Sequence, residues 1–470
     1  MKIKISHLAK IEGHASFFAD MLKGDIKSAK VKITIGARMI ESIILNRNYI
    51  EAPIVTSRIC GICSVAHNLT SIKAIENALG VKITPQAERL RKILYLAEPI
   101  QSHAAHLFFL SLADFFKYES DVDLIKKYPG LAKQIILIRD FGNKIKDVVG
   151  GRDMHMLATE IGGFRKVPDD AVLRKLLTQA ELVLGAALAV AEFFQKLDYP
   201  KYERKVEFVA VTNKKEYAFY DGLMGSSEGP ARSVEKFYKE IVERQRSDDP
   251  TKRARHGEES FMVGAIARLN LGSHLLNSEA RKFLDFFESR VQGTKIFSHE
   301  DSPGHKSGHQ PRPPQRGQFP SPGGLGLAQT VRASKILFPS PQVITYNTFH
   351  NIYAQAVELV HCVEEAQKLF KEYLREKSRN LMVKYTLKNG HGLAATEAPR
   401  GTLYHYYEID RYGVIRACNI ITPTAQFLDN LENDLKKYLS EAKVKNERDR
   451  KWKINMMVRA YDPCMTCATH

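Results

Sequence analysis

Tryptophan occurs once in 470 residues and cysteine six times. So few cysteines exclude a disulfide-built secreted scaffold, and a chain of this length can bury a large core without cross-links. Long apolar runs are also missing. The longest, ELVLGAALAVAEFF at 181–194, contains acids and falls short of the roughly 20 residues a spanning helix requires. The opening MKIKISHLAKIEGHASFF has basic residues but no continuous apolar stretch, so neither a secretory signal nor membrane insertion is expected. At 44% hydrophobic and 26% charged, the composition is that of a soluble globular chain. Acid is in deficit: 70 Lys and Arg against 53 Asp and Glu give a formal charge of +17. That balance fits nucleic acid, an acidic protein partner or a lysine-rich solvated surface.

What the chain does have is helical periodicity. VAHNLTSIKAIENALG, ending at Gly80, reads as a helix closed by glycine. Apolar residues at three- and four-residue steps predict a long buried helix over 85–118 and others over 168–197, 346–379 and 424–445. Short alternating runs before residue 57 predict a small sheet; strands are predicted at 205–212, 217–222 and 412–421. Residues 301–326 are crowded with proline and glycine and read as an exposed loop, with His305 and His309 solvated. The expected fold is mainly α with small peripheral β-sheets (α+β), a central bundle of long helices in one domain over 1–470. Within it lie a mixed N-terminal part (1–57), a helical core (58–300), the 301–326 loop and a second helical part (327–470) ending in a metal-binding segment.

The chemistry sits at the two ends. Arg58-Ile-Cys60-Gly-Ile-Cys63-Ser-Val-Ala-His67 and Asp462-Pro463-Cys464-Met-Thr-Cys467-Ala-Thr-His470 each carry a C-x-x-C unit. Two intervening residues let both sulfurs reach one metal from a single turn, and two such turns supply four thiolates. Soft donors of this kind suit zinc, iron–sulfur clusters and nickel. A structural zinc staple is one reading, although zinc knuckles usually lie within a few tens of residues of each other. Two unrelated C-x-x-C units, one of them a redox pair, is another.

The two motifs resemble those of the large, catalytic subunit of nickel–iron hydrogenases. So do Ile11-Glu12-Gly13-His14, Arg38-Met39-Ile40-Glu41, Phe349-His350-Asn351, Glu397-Ala398-Pro399-Arg400-Gly401 and Thr422-Pro423-Thr424, in the family's order across the chain. The resemblance implies that Cys60 and Cys464 are terminal nickel ligands, with Cys63 and Cys467 bridging nickel to an iron that carries carbon monoxide and two cyanides. The metal site would then lie buried between the two C-x-x-C turns. The implied reaction is reversible heterolytic cleavage of dihydrogen. Cys464 would be the first base and Glu12 the proton relay. Arg400 would lie over the open site, oriented by Asp462. Pro423 and Thr424 would line the diatomic ligands, and His67 would donate toward a bridging sulfur. His470, Glu41 and the carbonyl of Ile420 would hold a magnesium or iron ion.

Two departures from the family pattern stand out. Met39 occupies the place of the family's glycine in R-G-x-E. Ser102-His103 replaces an Asp-His pair, which looks more like the soluble, cofactor-coupled cytoplasmic group. Cys362 and Cys418 fit no ligand position and are expected to be packed thiols. With four cysteines consumed by one site, electrons would pass to an iron–sulfur small subunit and on to a flavin/NAD(P) or other electron-transfer subunit. No nucleic acid is then expected as a partner, and the location would be cytoplasmic. The competing reading is a four-cysteine zinc protein with a basic nucleic-acid-binding surface. A related ion-pumping subunit that has lost its metal site is a third, and the four retained cysteines argue against it.

Overall fold

The computed structural model describes residues 2–22, 25–287, 344–376, 380–442 and 444–470. The expected 301–326 loop lies outside them. The chain is mixed helix and sheet, about 50% helical.

It opens on an antiparallel meander of β1 (Lys2–Ile5), β2 (Ala15–Leu22) and β3 (Asp25–Ile33). Ile3, Ile5, Phe17, Ala19, Val31 and Ile33 face inward at the period of two that a half-buried sheet requires. A short helix, α1 (Ile40–Ile44), leads to the first C-x-x-C turn and to α2 (Ser64–Leu79). Gly80, at φ 68°, ends α2 as its sequence predicts.

The helical body follows. α3 (Pro85–Ala105) starts on Thr84, whose hydroxyl accepts from the Ala87 N–H, with proline at the first helical position. The single helix expected over 85–118 is broken. A wide π-helical turn, His106–Ser111, interrupts it before Leu112–Phe116. Apolar spacing alone does not register one inserted residue of pitch. Next come α4 (Pro129–Gly150), α5 (Asp170–Gln195) and α6 (His350–Arg375). α3 packs on α4, α4 on α5, α5 on α6 and α6 back on α3, closing a ring of four long helices. By length and composition α5 is apolar enough to cross a membrane, which the 181–194 run alone did not suggest. In the fold its Leu173, Leu176, Val183, Val190 and Phe194 are buried.

Among the described residues, two small sheets lie between α5 and α6. β4 (Glu207–Thr212), β5 (Leu223–Ser226) and β6 (Gly229–Arg232) form one with β9 (Phe261–Met262). β7 (Ile241–Arg246) and β8 (Asp249–His256) form a hairpin. The strand predicted at 217–222 lies instead at 223–226.

After α6 comes a meander of β10 (Gly390–Ala398), β11 (Gly401–Ile409) and β12 (Ile415–Ile421). This sheet is not peripheral. Nearly every residue of β10 and β11 is buried, and both strands pack on α2. Gly390 and Gly392 permit the approach: a Cβ there would stand 2.3 Å from the Ala78 carbonyl oxygen and 2.0 Å from that of Ala74. A strand buried on both faces loses the alternation that marks a strand in sequence, which is why this one was not legible. α7 (Pro423–Glu441) and α8 (Glu447–Ala460) then return the chain to the interior.

Candidate metal centre

Cys60 lies in the turn before α2, and Cys63 is the residue on which α2 begins. Cys464 and Cys467 follow α8. Non-local contacts join the two turns. Glu12 pairs with Cys464 as a short parallel bridge, and the Met465 N–H donates to the Glu12 carbonyl at 2.8 Å. Gly13, at φ +83°, makes that crossing possible, because a Cβ would lie 3.1 Å from the Met465 Cβ and 3.2 Å from the Thr466 nitrogen. The Arg38 N–H donates to the Thr469 carbonyl at 2.8 Å, and the Cys464 N–H donates to Thr424 Oγ1 at 3.0 Å.

All four sulfurs are buried and lie within 4.8 Å of one another. Cys60 to Cys464 is 3.6 Å, Cys63 to Cys467 3.2 Å and Cys464 to Cys467 3.0 Å. Hydrogen bonding with Cys464, then with the other sulfurs, holds the Cys60 thiol well below its ordinary range. The same sharing, again with Cys464 foremost, pushes Cys63 and Cys467 well above theirs. Four thiolates this close cannot form together in a buried site unless cations balance them.

Beside Cys63, Cys464 and Cys467 lies a small cavity, walled by His67, Pro399, Arg400, Pro423 and Thr424 among others. Pro423 and Thr424 form the first turn of α7, so the positive end of that helix faces the cavity. Arg400 is held by Asp462: Nε donates to the backbone oxygen at 2.8 Å, and Nη2 donates to Oδ1 at 2.9 Å. Its third nitrogen, Nη1, is buried with no hydrogen-bond partner among the described residues. An orphaned cationic donor beside a small enclosed space fits an electron-rich ligand there. Asp462 sits at φ 51° immediately before Pro463, a costly conformation of the kind that clusters at functional sites.

Glu12 is half-buried, and burial raises its carboxyl pKa; the nearby Cys60 raises it further, and Arg400 opposes. His67 is buried. Desolvation brings its pKa down to about 3, so the ring is neutral. Its Nε2 stands 3.9 Å from the Cys467 sulfur, and its Nδ1 is 3.2 Å from His405 Nε2. A proton on each Nε2 satisfies both contacts.

A second constellation surrounds the last residue. His470 Nδ1 lies 2.6 Å from the Cys467 carbonyl, so Nδ1 carries the hydrogen. Nε2 then presents a lone pair, yet it faces the Ile420 carbonyl at 2.8 Å and Glu41 Oε1 at 3.8 Å. Three electron-pair donors converge, and burial disfavours a protonated ring. A hard cation suits that set. Lys252, which nothing in the sequence singled out, reaches both Glu41 oxygens at 2.7 Å.

The other unforeseen group is Arg268. It forks onto Glu358, reaches Glu397, and donates to the Ala398 and Pro399 carbonyls at 3.1 and 3.0 Å, fixing the turn that carries Arg400. A lone arginine within an apolar helix, ARLNLG, was its only trace. Cys362 is buried on α6, and Cys418 is partly buried on β12.

A family model described as nickel-dependent hydrogenase matches residues 38–148 and 342–470. Sulfhydrogenase 1 subunit alpha of Pyrococcus furiosus is 29% identical over 476 residues, covering 100% of this chain and 98% of that protein. NAD-reducing hydrogenase HoxS subunit beta of Cupriavidus necator is 24% identical, over 100% and 94% of the two chains. In fold, the chain is similar to an NAD+-reducing NiFe hydrogenase solved in the H2-reduced state. The TM-score is 0.80 at 24% identity, covering 100% of this chain and 99% of that one.

Proposed function

This chain belongs to the family of nickel-dependent hydrogenase large subunits, and from that premise we propose that it is the catalytic subunit of a reversible dihydrogen-splitting enzyme. In this reading Cys60 and Cys464 are terminal nickel ligands. Cys63 and Cys467 would hold nickel together with an iron that would carry carbon monoxide and two cyanides. The supporting observation is the convergence of four buried sulfurs on one point, with Arg400, whose Nη1 has no partner among the described residues, lining the cavity beside three of them. A lone tetrahedral zinc would account for the sulfurs but leave that cavity and that donor without purpose.

When bound, the nickel–iron pair supplies the redox and Lewis-acid chemistry for heterolytic cleavage. The chain's own groups handle the proton. Cys464 takes it first, from a buried position beside Thr466 Oγ1 at 3.3 Å. Glu12 receives it next. Its backbone is paired to Cys464, and burial moves its carboxyl toward the range in which it can both accept and release. Arg400 lends a fixed positive charge on the far wall, held by Asp462. Thr424 Oγ1 accepts from Cys464 and keeps its own hydrogen for a cavity ligand. His67, neutral, donates toward Cys467.

The convergence of Glu41, the Ile420 carbonyl and His470 supports a structural magnesium or iron ion that pins the last residue. Electrons pass to an iron–sulfur small subunit and on to a flavin/NAD(P) or other electron-transfer subunit, in a cytoplasmic complex. The relatives' names, a sulfhydrogenase subunit alpha and an NAD-reducing hydrogenase subunit beta, support assembly with further subunits and, in the second case, coupling to NAD.

Elemental analysis and infrared spectroscopy of the purified complex test the reading. Nickel and iron near one each per chain, with carbon monoxide and cyanide stretching bands, are expected. Zinc alone would overturn it. Cys63→Ser and Cys467→Ser should each abolish activity and nickel loading.

A further inference from the structure

Arg400 is only as well placed as Asp462, and Asp462 is held on both carboxylate oxygens. Oδ1 takes Arg400, and Oδ2 accepts from Gln355 Nε2 at 3.0 Å. Gln355, on α6, is 1% exposed and is absent from the cavity wall. Its amide cannot turn over, because a carboxylate accepts only, so Nε2 must face Asp462 and Oε1 must face the other way. There it meets His106 Nδ1 at 2.5 Å, while His106 Nε2 lies 2.8 Å from the Arg459 carbonyl. Both of those oxygens are acceptors, and the ring stands 3.8 Å from Asp462 Oδ1. His106 is the first residue of the wide π-helical turn that breaks the helix after α3, and turns of this kind recur at functional sites.

We infer that Gln355, locked by His106, is a positioning residue that sets Asp462 and through it the guanidinium of Arg400. The inference rests on the proposed nickel–iron site. It adds a line of hydrogen bonds running from the π-helical turn through α6 to the cavity wall. With Gln355 replaced by a side chain of equal length and no donor, Oδ2 loses its partner. Asp462 is then free to rotate, and the fork that fixes Arg400 loosens.

The test uses Gln355→Met in the assembled complex, beside Arg400→Lys and the double variant. Gln355→Met should keep wild-type nickel and iron, lower kcat about tenfold, equivalent to ~1.4 kcal/mol, and leave KM for dihydrogen within twofold. The carbon monoxide and cyanide infrared bands should move, because the donor facing those ligands has moved. In the Arg400→Lys background the same substitution should change kcat less than twofold, since what it positions is already gone. A kcat within twofold of wild type, unmoved bands, or equal losses in both backgrounds would overturn the inference. If Gln355→Met arrives without metal, Gln355→Asn, too short to reach Asp462, is read by the same criteria. Loss of metal in both would mark Gln355 as merely structural and reject the role. A wild-type complex lacking nickel and iron would overturn the site assignment itself, a result separate from any of these.

Discussion

Removing the Arg268 guanidinium should cost about 3 kcal/mol, and pH should reveal why. Arg268 and Glu358 are both buried to within 1% and joined by two hydrogen bonds, at 2.6 and 2.7 Å. Burial by itself would raise the Glu358 carboxyl. Arg268 outweighs it, with His103 assisting, and the pKa falls from 4.5 to about 2. That depression corresponds to roughly 3 kcal/mol of preferential stabilisation of the ionised form, at 1.36 kcal/mol per unit. The penalty for orphaning one partner of a buried pair, about 3–5 kcal/mol, agrees. Arg268→Met keeps the length and removes the charge, leaving Glu358 with His103 and Tyr217 alone. In the native chain, stability from Glu358 is fully present above pH 4.5 and is lost only as pH falls toward 2. In the variant burial wins and the carboxyl pKa rises above 4.5, so the sign inverts and stability is regained as pH falls through the raised value. Urea unfolding of the complex at pH 7.5 and pH 5.5 reads both effects. A loss of about 3 kcal/mol at the higher pH that shrinks at the lower is expected. A loss under about 1 kcal/mol, or one independent of pH, would refute the reasoning.

Met39 adopts φ 53° at the start of α1 with its side chain 63% exposed, so Met39→Gly should stabilise the chain by about 0.5–1 kcal/mol, read as a higher unfolding midpoint. His256 bonds Glu207 and Glu240 at 2.8 and 2.9 Å, and these partners, Glu207 foremost, raise its pKa from 6.5 to about 9. Its contribution is complete below pH 6.5 and fades as pH rises through 9, so His256→Gln should flatten the decline of melting temperature over that window. Glu12→Gln should retain nickel and iron yet block exchange between deuterium gas and solvent protons; wild-type exchange rates in that variant would exclude the relay.

Much of the helical body was legible because its periodicity is local. Gly80, the start at residue 85 and the apolar stripes of 168–197 and 424–445 mark helices that the fold contains, with ends shifted by a few residues. The buried meander of β10 to β12 was legible only at its last strand. GHGLAATEA carries no alternation, and its glycines make sense only once α2 lies across them. The π-helical turn at His106 was invisible for a related reason: the residues that justify it, Gln355 and Arg459, stand 249 and 353 positions away.

By itself the amino-acid order determined the donor set. Two C-x-x-C units, an arginine after Ala398-Pro399 and a histidine at position 470 are fixed choices of chemistry, and two-residue spacing fixes their reach within one turn. Only the tertiary structure decided that sulfurs 404 positions apart meet at 3.2 to 3.6 Å. It likewise decided that Arg400 leaves one nitrogen bare among the described residues, that Asp462 is gripped from both sides, and that Arg268 underpins the turn that carries Arg400. The division is physical. Reach along a turn is set by covalent geometry, whereas charge, protonation and orientation are set by what burial brings close, and no local stretch of chain carries that information.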